Sequence, residues 1–172
     1  MKPPKLNYFP IKIPDTELLA FAEEFSKNYK IFSGGSYCSK TSKYHILYFD
    51  GYMGSPAGMP SKTFARVNSQ NGTIELDKVA LVNDKKITNN FVFYLILWCV
   101  KRLEVESEME ADIKALHIYL ALGRPSKDVR IGWLAQFKFA PNPFNKKRYE
   151  EIDAFISGKK IKPATHIICS SN

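Results

Sequence analysis

The chain has 172 residues, of which 45% are hydrophobic and 24% charged, a composition typical of one globular domain that excludes intrinsic disorder and collagen-like repeats. Its 25 lysines and arginines against 17 acidic residues give a formal charge of +8, which favours an acidic partner or nucleic acid. Only five of the basic residues are arginines. Because arginine supplies the bidentate contacts to bases, the excess gives weak support to sequence-specific readout.

The first predicted element is an amphipathic helix over residues 15–25. Its apolar side chains recur at helical spacing, and Asp15 is placed to cap it. The helix is expected to end before Gly34, where a glycine-rich turn begins. A β-rich run at residues 45–49 then predicts a strand.

A β-hairpin is the next predicted element. Residues 64–68 and 73–77 are strand-like and flank Asn71 and Gly72. This dipeptide readily supplies the two positive φ angles of a two-residue type I′ turn. The hairpin therefore completes a small antiparallel sheet of about three strands.

Residues 91–100 are apolar on every face. Periodicity alone fits a buried helix or a buried strand. A helix is favoured because Asn89 or Asn90 can cap it, and because Lys101 and Arg102 suit the negative end of its dipole.

Three more helices follow, capped in turn by Ser107, Ser126 and Asn145, and each ends at a glycine or before a proline. The sequence thus predicts one α+β domain over residues 1–158: an N-terminal helix, the small antiparallel sheet and about four helices. Residues 159–172 are predicted to form a basic C-terminal tail.

The sequence shows neither a membrane-spanning segment nor a signal peptide. The longest apolar run, residues 91–100, falls well short of the roughly 20 residues that a membrane-spanning helix needs. Prolines interrupt the N-terminus, which has no apolar core of the kind that signal peptides carry. We therefore expect no membrane contact and a cytoplasmic location in the producing cell.

The residue types that most often bind metals or act as nucleophiles are scattered along the chain: Cys38, Cys99, Cys169, His45, His117 and His166. The cysteines form neither a disulfide framework nor a Cys-x-x-Cys metal site. No histidine has a second ligand at the usual zinc spacing. We expect no cofactor.

A longer pattern is more informative. A hairpin ending in Ile74-Glu75-Leu76 is followed by the apolar helix over residues 91–100 and then by Glu110-Ala111-Asp112. This order resembles the small gluzincin-type zinc metallopeptidases encoded by phages and mobile elements of gut bacteria. In that family one helix carries His-Glu-x-x-His, and a later Glu-Ala-Asp supplies the third zinc ligand. The resemblance covers residues 60–123 and implies a minimal metallopeptidase-like scaffold.

The resemblance does not extend to the chemistry. Alignment on the family places Leu97 and Lys101 at the two histidines and Trp98 at the catalytic glutamate. Glu110 alone matches the third-ligand motif, and one carboxylate cannot hold zinc. Ser107 and Glu110 also have the spacing of a capping box, which explains Glu110 without a metal. We therefore expect no metal site and no catalytic residue.

Basic clusters in the C-terminal quarter are candidate contacts for nucleic acid or an acidic partner. The alternative is an ordinary solvated surface, whereas phosphate contact would be non-specific and strongly salt dependent. The residues concerned are Lys146, Lys147, Arg148, Lys159, Lys160 and Lys162.

Taken with the resemblance, these features lead us to expect a non-catalytic structural or interaction protein. Its form would be a phage protein, a virion head-to-tail connector subunit or a packaged component, an expectation that rests on analogy. We expect protein partners and a homo-oligomer or larger assembly. Two alternatives stay open: an active zinc-dependent hydrolase with unaligned ligands, and a non-specific DNA-associated protein.

Overall fold

A computed structural model describes residues 16–28, 36–38, 45–49, 63–68 and 72–158. Their elements, in chain order, are α1 (Thr16–Asn28), β1 (Ser36–Cys38), β2 (His45–Phe49), β3 (Ala65–Asn68), β4 (Thr73–Asp77), α2 (Lys78–Asn83), α3 (Asn89–Glu104), α4 (Glu108–Ala121), α5 (Ser126–Phe139) and α6 (Pro143–Ile156). The predicted α+β class is confirmed. Asp15, Gly34 and the tail over residues 159–172 lie outside the described residues.

The sheet differs from the small antiparallel one expected. It is a 4-stranded sheet with strand order β1-β2-β4-β3, and β2 pairs with β4 in parallel, Ile46 lying opposite Ile74. The other two pairings are antiparallel. The reason is that β3 runs opposite to β2 at the far edge of the sheet. The hairpin reverses the chain and returns β4 into the position between them, so β4 runs in the same direction as β2.

The β3–β4 hairpin is confirmed, but its turn is longer than the two residues predicted. Asn68 pairs with Thr73, so residues 69–72 connect the strands. Gly72 has a φ of 72° and donates its N–H to the Asn68 carbonyl at 2.8 Å. A glycine in this left-handed conformation closes longer hairpin loops as readily as tight ones, which is why the dipeptide alone misjudged the length.

One face of the sheet packs against helices. Ile46, Ile74 and Leu76 are buried on it, and Phe25 of α1 stacks on Tyr48 with ring centroids 6.4 Å apart. The apolar stripe predicted for the first helix is fully buried: Leu18, Phe21, Ala22 and Phe25. The stripe packs α1 mainly against α3, and Phe25 extends the contact to Tyr48 of β2.

α3 is the central helix of the core. Every residue in 91–100 is buried, which confirms a helix rather than a strand. Its cap, however, is Thr88, whose hydroxyl accepts the Phe91 N–H at 3.2 Å. Neither Asn89 nor Asn90 caps it, because both lie inside the first turn, where Asn90 donates to Asp128 at 2.8 Å.

Ser107 caps α4 as predicted, since its hydroxyl accepts the Glu110 N–H at 3.3 Å. Ser126 does not cap α5. The cap position is Pro125, which offers no side-chain hydrogen bond, and Ser126 is the first helical residue. Proline disfavours helical backbone in the residue before it, not after it, so α5 begins directly behind Pro125.

α6 begins earlier than predicted. Its cap is Asn142, whose side chain accepts the Asn145 N–H at 2.8 Å, and Pro143 is the first helical residue. Proline suits that position because its fixed φ is helical and its missing N–H would have no partner there. Asn145 is instead buried within the helix and donates to the Ala140 carbonyl at 2.9 Å. Among the described helices, none is both long and apolar enough to cross a membrane.

Candidate functional site

Among the described residues, the most deeply buried charged cluster lies where α4 meets α6. Asp112 is 1% exposed and Arg148 is 6% exposed. The guanidinium donates from Nε and Nη2 to the two Asp112 carboxylate oxygens, each at 2.8 Å. Its Nη1 donates to Glu108 Oε2, also at 2.8 Å. Three of the guanidinium's donor positions are therefore occupied by two carboxylates.

Helical spacing explains why two acidic residues converge on one arginine. Glu108 and Asp112 are one turn apart on α4, so their side chains point the same way. Arg148 stands one turn before Ile152, on the buried face of α6. The packing of α4 on α6 thus brings the three charges together in the interior. We call Glu108, Asp112 and Arg148 the charged cluster.

Aromatic rings enclose the guanidinium. Its central carbon lies 4.5 Å from the ring centroid of Trp133, 5.3 Å from that of Trp98 and 5.6 Å from that of Phe144. A cation near aromatic faces gains from their quadrupoles, and more so when water is excluded. The rings therefore compensate part of the cost of burying Arg148.

Tyr94 links the aromatic rings to α4. Its hydroxyl donates to the Asp112 carbonyl at 3.2 Å and accepts the indole N–H of Trp133 at 3.2 Å. Burial raises the pKa of Tyr94 well above its ordinary value. The phenol therefore stays protonated and acts as a fixed hydrogen-bonding bridge between α3, α4 and α5.

The electrostatics of the charged cluster are those of a coupled pair. Burial raises the pKa of Asp112, and the adjacent Arg148 guanidinium opposes that rise. Burial lowers the pKa of Arg148, but the charge and hydrogen bonds of Asp112 together with the charge of Glu108 act in the opposite direction, and the net shift is upward. A guanidinium that stays charged neither gives nor takes a proton. The cluster is therefore suited to fastening α4 to α6.

The positions aligned with the zinc-binding helix have other contacts. Leu97 and Trp98 are buried in the core, and Trp98 faces Arg148. Lys101 pairs with Glu104 at 2.9 Å. Within the described ranges, no group of three or more histidine, cysteine, aspartate or glutamate residues is placed to hold a metal ion.

Glu110 lies on α4 beside the charged cluster but outside it. Its backbone N–H is capped by Ser107, while its carboxylate accepts from Lys114 at 3.1 Å. The Ser107 half of the predicted capping box is thus formed, and the Glu110 side chain turns along the helix instead of back to Ser107. Asp112, in the same Glu-Ala-Asp motif, is the acidic residue that is buried and paired with Arg148.

The basic residues singled out by sequence separate into three groups. Arg148 is buried and paired, so it is not part of a surface for nucleic acid or an acidic partner. Lys146 and Lys147 are exposed, and Lys146 lies 3.9 Å from Glu150. Lys159, Lys160 and Lys162 lie outside the described residues, as do His166, Cys169 and the side chains of Cys38 and His45.

Cys99 is a free thiol in the middle of α3 and is fully buried. Burial in apolar surroundings raises its pKa well above the usual range. The thiolate is the nucleophilic form of cysteine. Cys99 therefore packs the core and does not supply an activated nucleophile.

A second polar cluster, centred on Arg124, joins α1 to the other helices. Arg124 pairs with Glu23 of α1 and donates to Asn90 of α3 at 3.1 Å. Its guanidinium lies 3.7 Å from the Phe93 ring centroid. Asn90 in turn donates to Asp128 of α5. This arrangement is also a fastening between helices.

Sequence reasoning missed the charged cluster because it treated Lys146, Lys147 and Arg148 as one basic run. A usable signal was present: Arg148 shares a helix face with Ile152, whereas the two lysines do not. Both polar clusters are assembled from side chains that satisfy one another. Comparison of the chain with protein-family models, with curated proteins and with solved structures found no match.

Proposed function

We propose that this chain is a non-catalytic structural or interaction protein. The observation that carries the proposal is the internal pairing of the charged cluster, where Arg148 donates to both oxygens of Asp112 and to one of Glu108. A catalytic site needs a polar group left free to bind substrate or to move a proton. The buried charges here are used for packing helices together.

The specific form of the proposal is a virion component, a head-to-tail connector subunit or packaged protein on a decayed metallopeptidase-like scaffold. It is supported by the resemblance over residues 60–123. Leu97 and Trp98 stand where that family has a zinc ligand and its catalytic glutamate, and both are buried. Side chains of this size fill space that a metal and its water would need.

Native mass spectrometry of the full chain tests the proposal, because one spectrum gives both subunit number and bound metal. We expect a metal-free oligomer, or a metal-free chain that co-purifies with a protein partner from the producing cell. A monomer that captures no partner would contradict the assembly role.

A bound zinc would contradict the proposal more directly. In that case Glu110→Ala should abolish peptide cleavage, because Glu110 is the residue that matches the ligand motif. Glu104→Ala is the matched control, since Glu104 lies on the exposed end of α3 and pairs with Lys101. Cleavage lost in the first variant and kept in the second would establish a hydrolase.

A further inference from the structure

α5 turns one face to solvent along its whole length. Lys127, Ile131, Leu134 and Lys138 stand at positions i, i+4, i+7 and i+11, which places them in one line. Ile131 is 42% exposed. Leu134 is half-buried, and both lysines are exposed. We call these four residues the α5 stripe.

The opposite face of α5 fixes this orientation. Gly132 lies against the ring of Phe91, so closely that a Cβ built there would be 2.1 Å from Phe91 Cδ1. Asp128 is buried and accepts a hydrogen bond from Asn90. These contacts hold α5 on α3, and the α5 stripe therefore cannot rotate into the core.

The charge of the α5 stripe is uncompensated. Asp128 is the acidic residue of α5, and it lies on the buried face. Among the ion pairs formed within the described part of the chain, none includes Lys127 or Lys138. The α5 stripe thus combines an aliphatic centre with a positive charge at each end, in a chain whose formal charge is +8.

We propose that the α5 stripe docks an acidic amphipathic helix of a partner protein. The inference rests on the proposed interaction function and names the partner's chemistry. The stripe is about 16 Å long, or three helical turns. A straight row of side chains at alternating spacings of four and three residues is the stripe along which two helices contact each other. Carboxylates flanking the partner's apolar face would meet Lys127 and Lys138.

Other macromolecules fit this surface less well. The centre of the α5 stripe is aliphatic, whereas single-stranded nucleic acid binds by stacking its bases on aromatic side chains. Two lysines are fewer than the cluster of roughly four to eight basic residues typical of binding to anionic lipid. Charge and shape together favour a protein helix.

The test uses the full chain and a fluorescent synthetic helix of about five turns, with leucines on one face and glutamates beside them. Fluorescence anisotropy measures its binding. We expect binding that weakens with added salt. A second peptide, with lysine in place of each glutamate, should bind at least about tenfold more weakly.

Variants locate the binding surface. Lys127→Glu combined with Lys138→Glu should weaken binding by about tenfold or more, because attraction becomes repulsion at both ends. Lys85→Glu combined with Lys86→Glu makes the same charge change in the exposed segment between α2 and α3 and should leave binding unchanged. Ile131→Ser should also weaken binding, whereas Val82→Ser, at a residue 40% exposed on α2, should not.

Several results would overturn the inference. These are no measurable binding of the acidic helix, equal loss in the stripe and control variants, or tighter binding of anionic vesicles or single-stranded DNA that the stripe variant abolishes. Failure here is separable from failure of the proposed function. A metal-free assembly that does not bind the acidic peptide would support the proposed function and contradict docking at the α5 stripe. A zinc-dependent hydrolase would contradict the proposed function itself.

Discussion

Burying Arg148 costs free energy, yet the packing of α4 on α6 depends on it. Removing a guanidinium and a carboxylate from water is expensive, and their mutual attraction offsets that cost only when the geometry is good. Here the bidentate contact with Asp112 and the contact with Glu108 provide that geometry. The consequence is an asymmetry: losing one member leaves the other buried and uncompensated.

Arg148→Met is expected to lower the free energy of unfolding by about 3–5 kcal/mol, because the buried Asp112 carboxyl loses the partner that compensates its burial. Urea denaturation measures the loss. Arg130→Met is the control: Arg130 pairs with Asp153 at 2.8 Å, but side-chain exposures of 40% and 37% leave both side chains partly in contact with water. Its loss should cost less than about 1 kcal/mol. Equal losses in the two variants would contradict the structural role of the charged cluster.

His117 provides a pH-dependent contribution to stability. It is buried on α4 with its ring 6.1 Å from that of Phe155, and burial lowers its pKa below the ordinary 6.5. Below pH 6.5 the unfolded chain therefore binds a proton that the folded chain does not, and stability falls as the pH falls.

The measurement is urea denaturation of the wild type and of His117→Gln between about pH 7.5 and pH 5.5. The difference in stability between the two proteins should change across this range, since groups common to both cancel. A constant difference in stability would mean that burial does not shift the pKa of His117.

At the scale of elements, the helix caps show where a local sequence pattern and the folded structure differ. Thr88→Ala should cost about 1 kcal/mol, because the hydroxyl that accepts the Phe91 N–H is lost. Asn89→Ala, at an exposed residue one position along, should change stability by less than about 0.5 kcal/mol. Thermal or urea unfolding of both variants tests the assignment. A larger loss of stability in Asn89→Ala than in Thr88→Ala would mean that the asparagine caps α3.

The α3–α5 contact depends on a missing side chain. A Cβ at Gly132 would lie 2.1 Å from Phe91 Cδ1, which is far inside van der Waals contact. Gly132→Ala should therefore destabilise the protein by about 1–3 kcal/mol, although alanine favours helix by itself. Lys138→Ala, on the solvent side of α5, is the control and should be close to neutral. Partial recovery in Gly132→Ala combined with Phe91→Leu would locate the clash.

Periodicity predicted the helices well because their apolar faces were wide. The stripe of α1 and the apolar run of α3 can only be buried, so both were placed correctly from the sequence. Caps were less predictable, since serine, threonine and asparagine compete within a few positions of each helix start. Among the predicted caps at described residues, Ser107 is confirmed, whereas Asn89, Asn90, Ser126 and Asn145 lie inside their helices.

At the scale of the whole molecule, a continuous apolar core joins α1, the sheet and the helices. Arg124 adds a polar tie between α1 and α3. A chain with one core is expected to unfold in one cooperative step. Hydrogen exchange measured with increasing denaturant should therefore give β4 and α3 the same opening free energy.

The comparison is between the amides of Ile74 and Leu76 in β4 and the amides of α3. Mass spectrometry of the peptides that contain them measures their exchange. Exchange of β4 at a clearly lower denaturant concentration than α3 would mean that the sheet opens independently. Arg124→Met should weaken protection in α1 more than in α4, because its contacts with Glu23 and Phe93 lie between α1 and α3.

The sequence by itself determined the α+β class, the central apolar helix and the hairpin, because each depends on local periodicity or on turn chemistry. The parallel pairing of β2 with β4 and the burial of Arg148 against Asp112 were decided only by the tertiary structure. Both depend on residues far apart in the chain. No local pattern encodes which strand inserts beside β2, and the helical periodicity that places Arg148 on the buried face of α6 does not identify Asp112 as its partner. The solvent face of α5 is intermediate: its spacing is written in the sequence, but only packing on α3 shows which side remains outside.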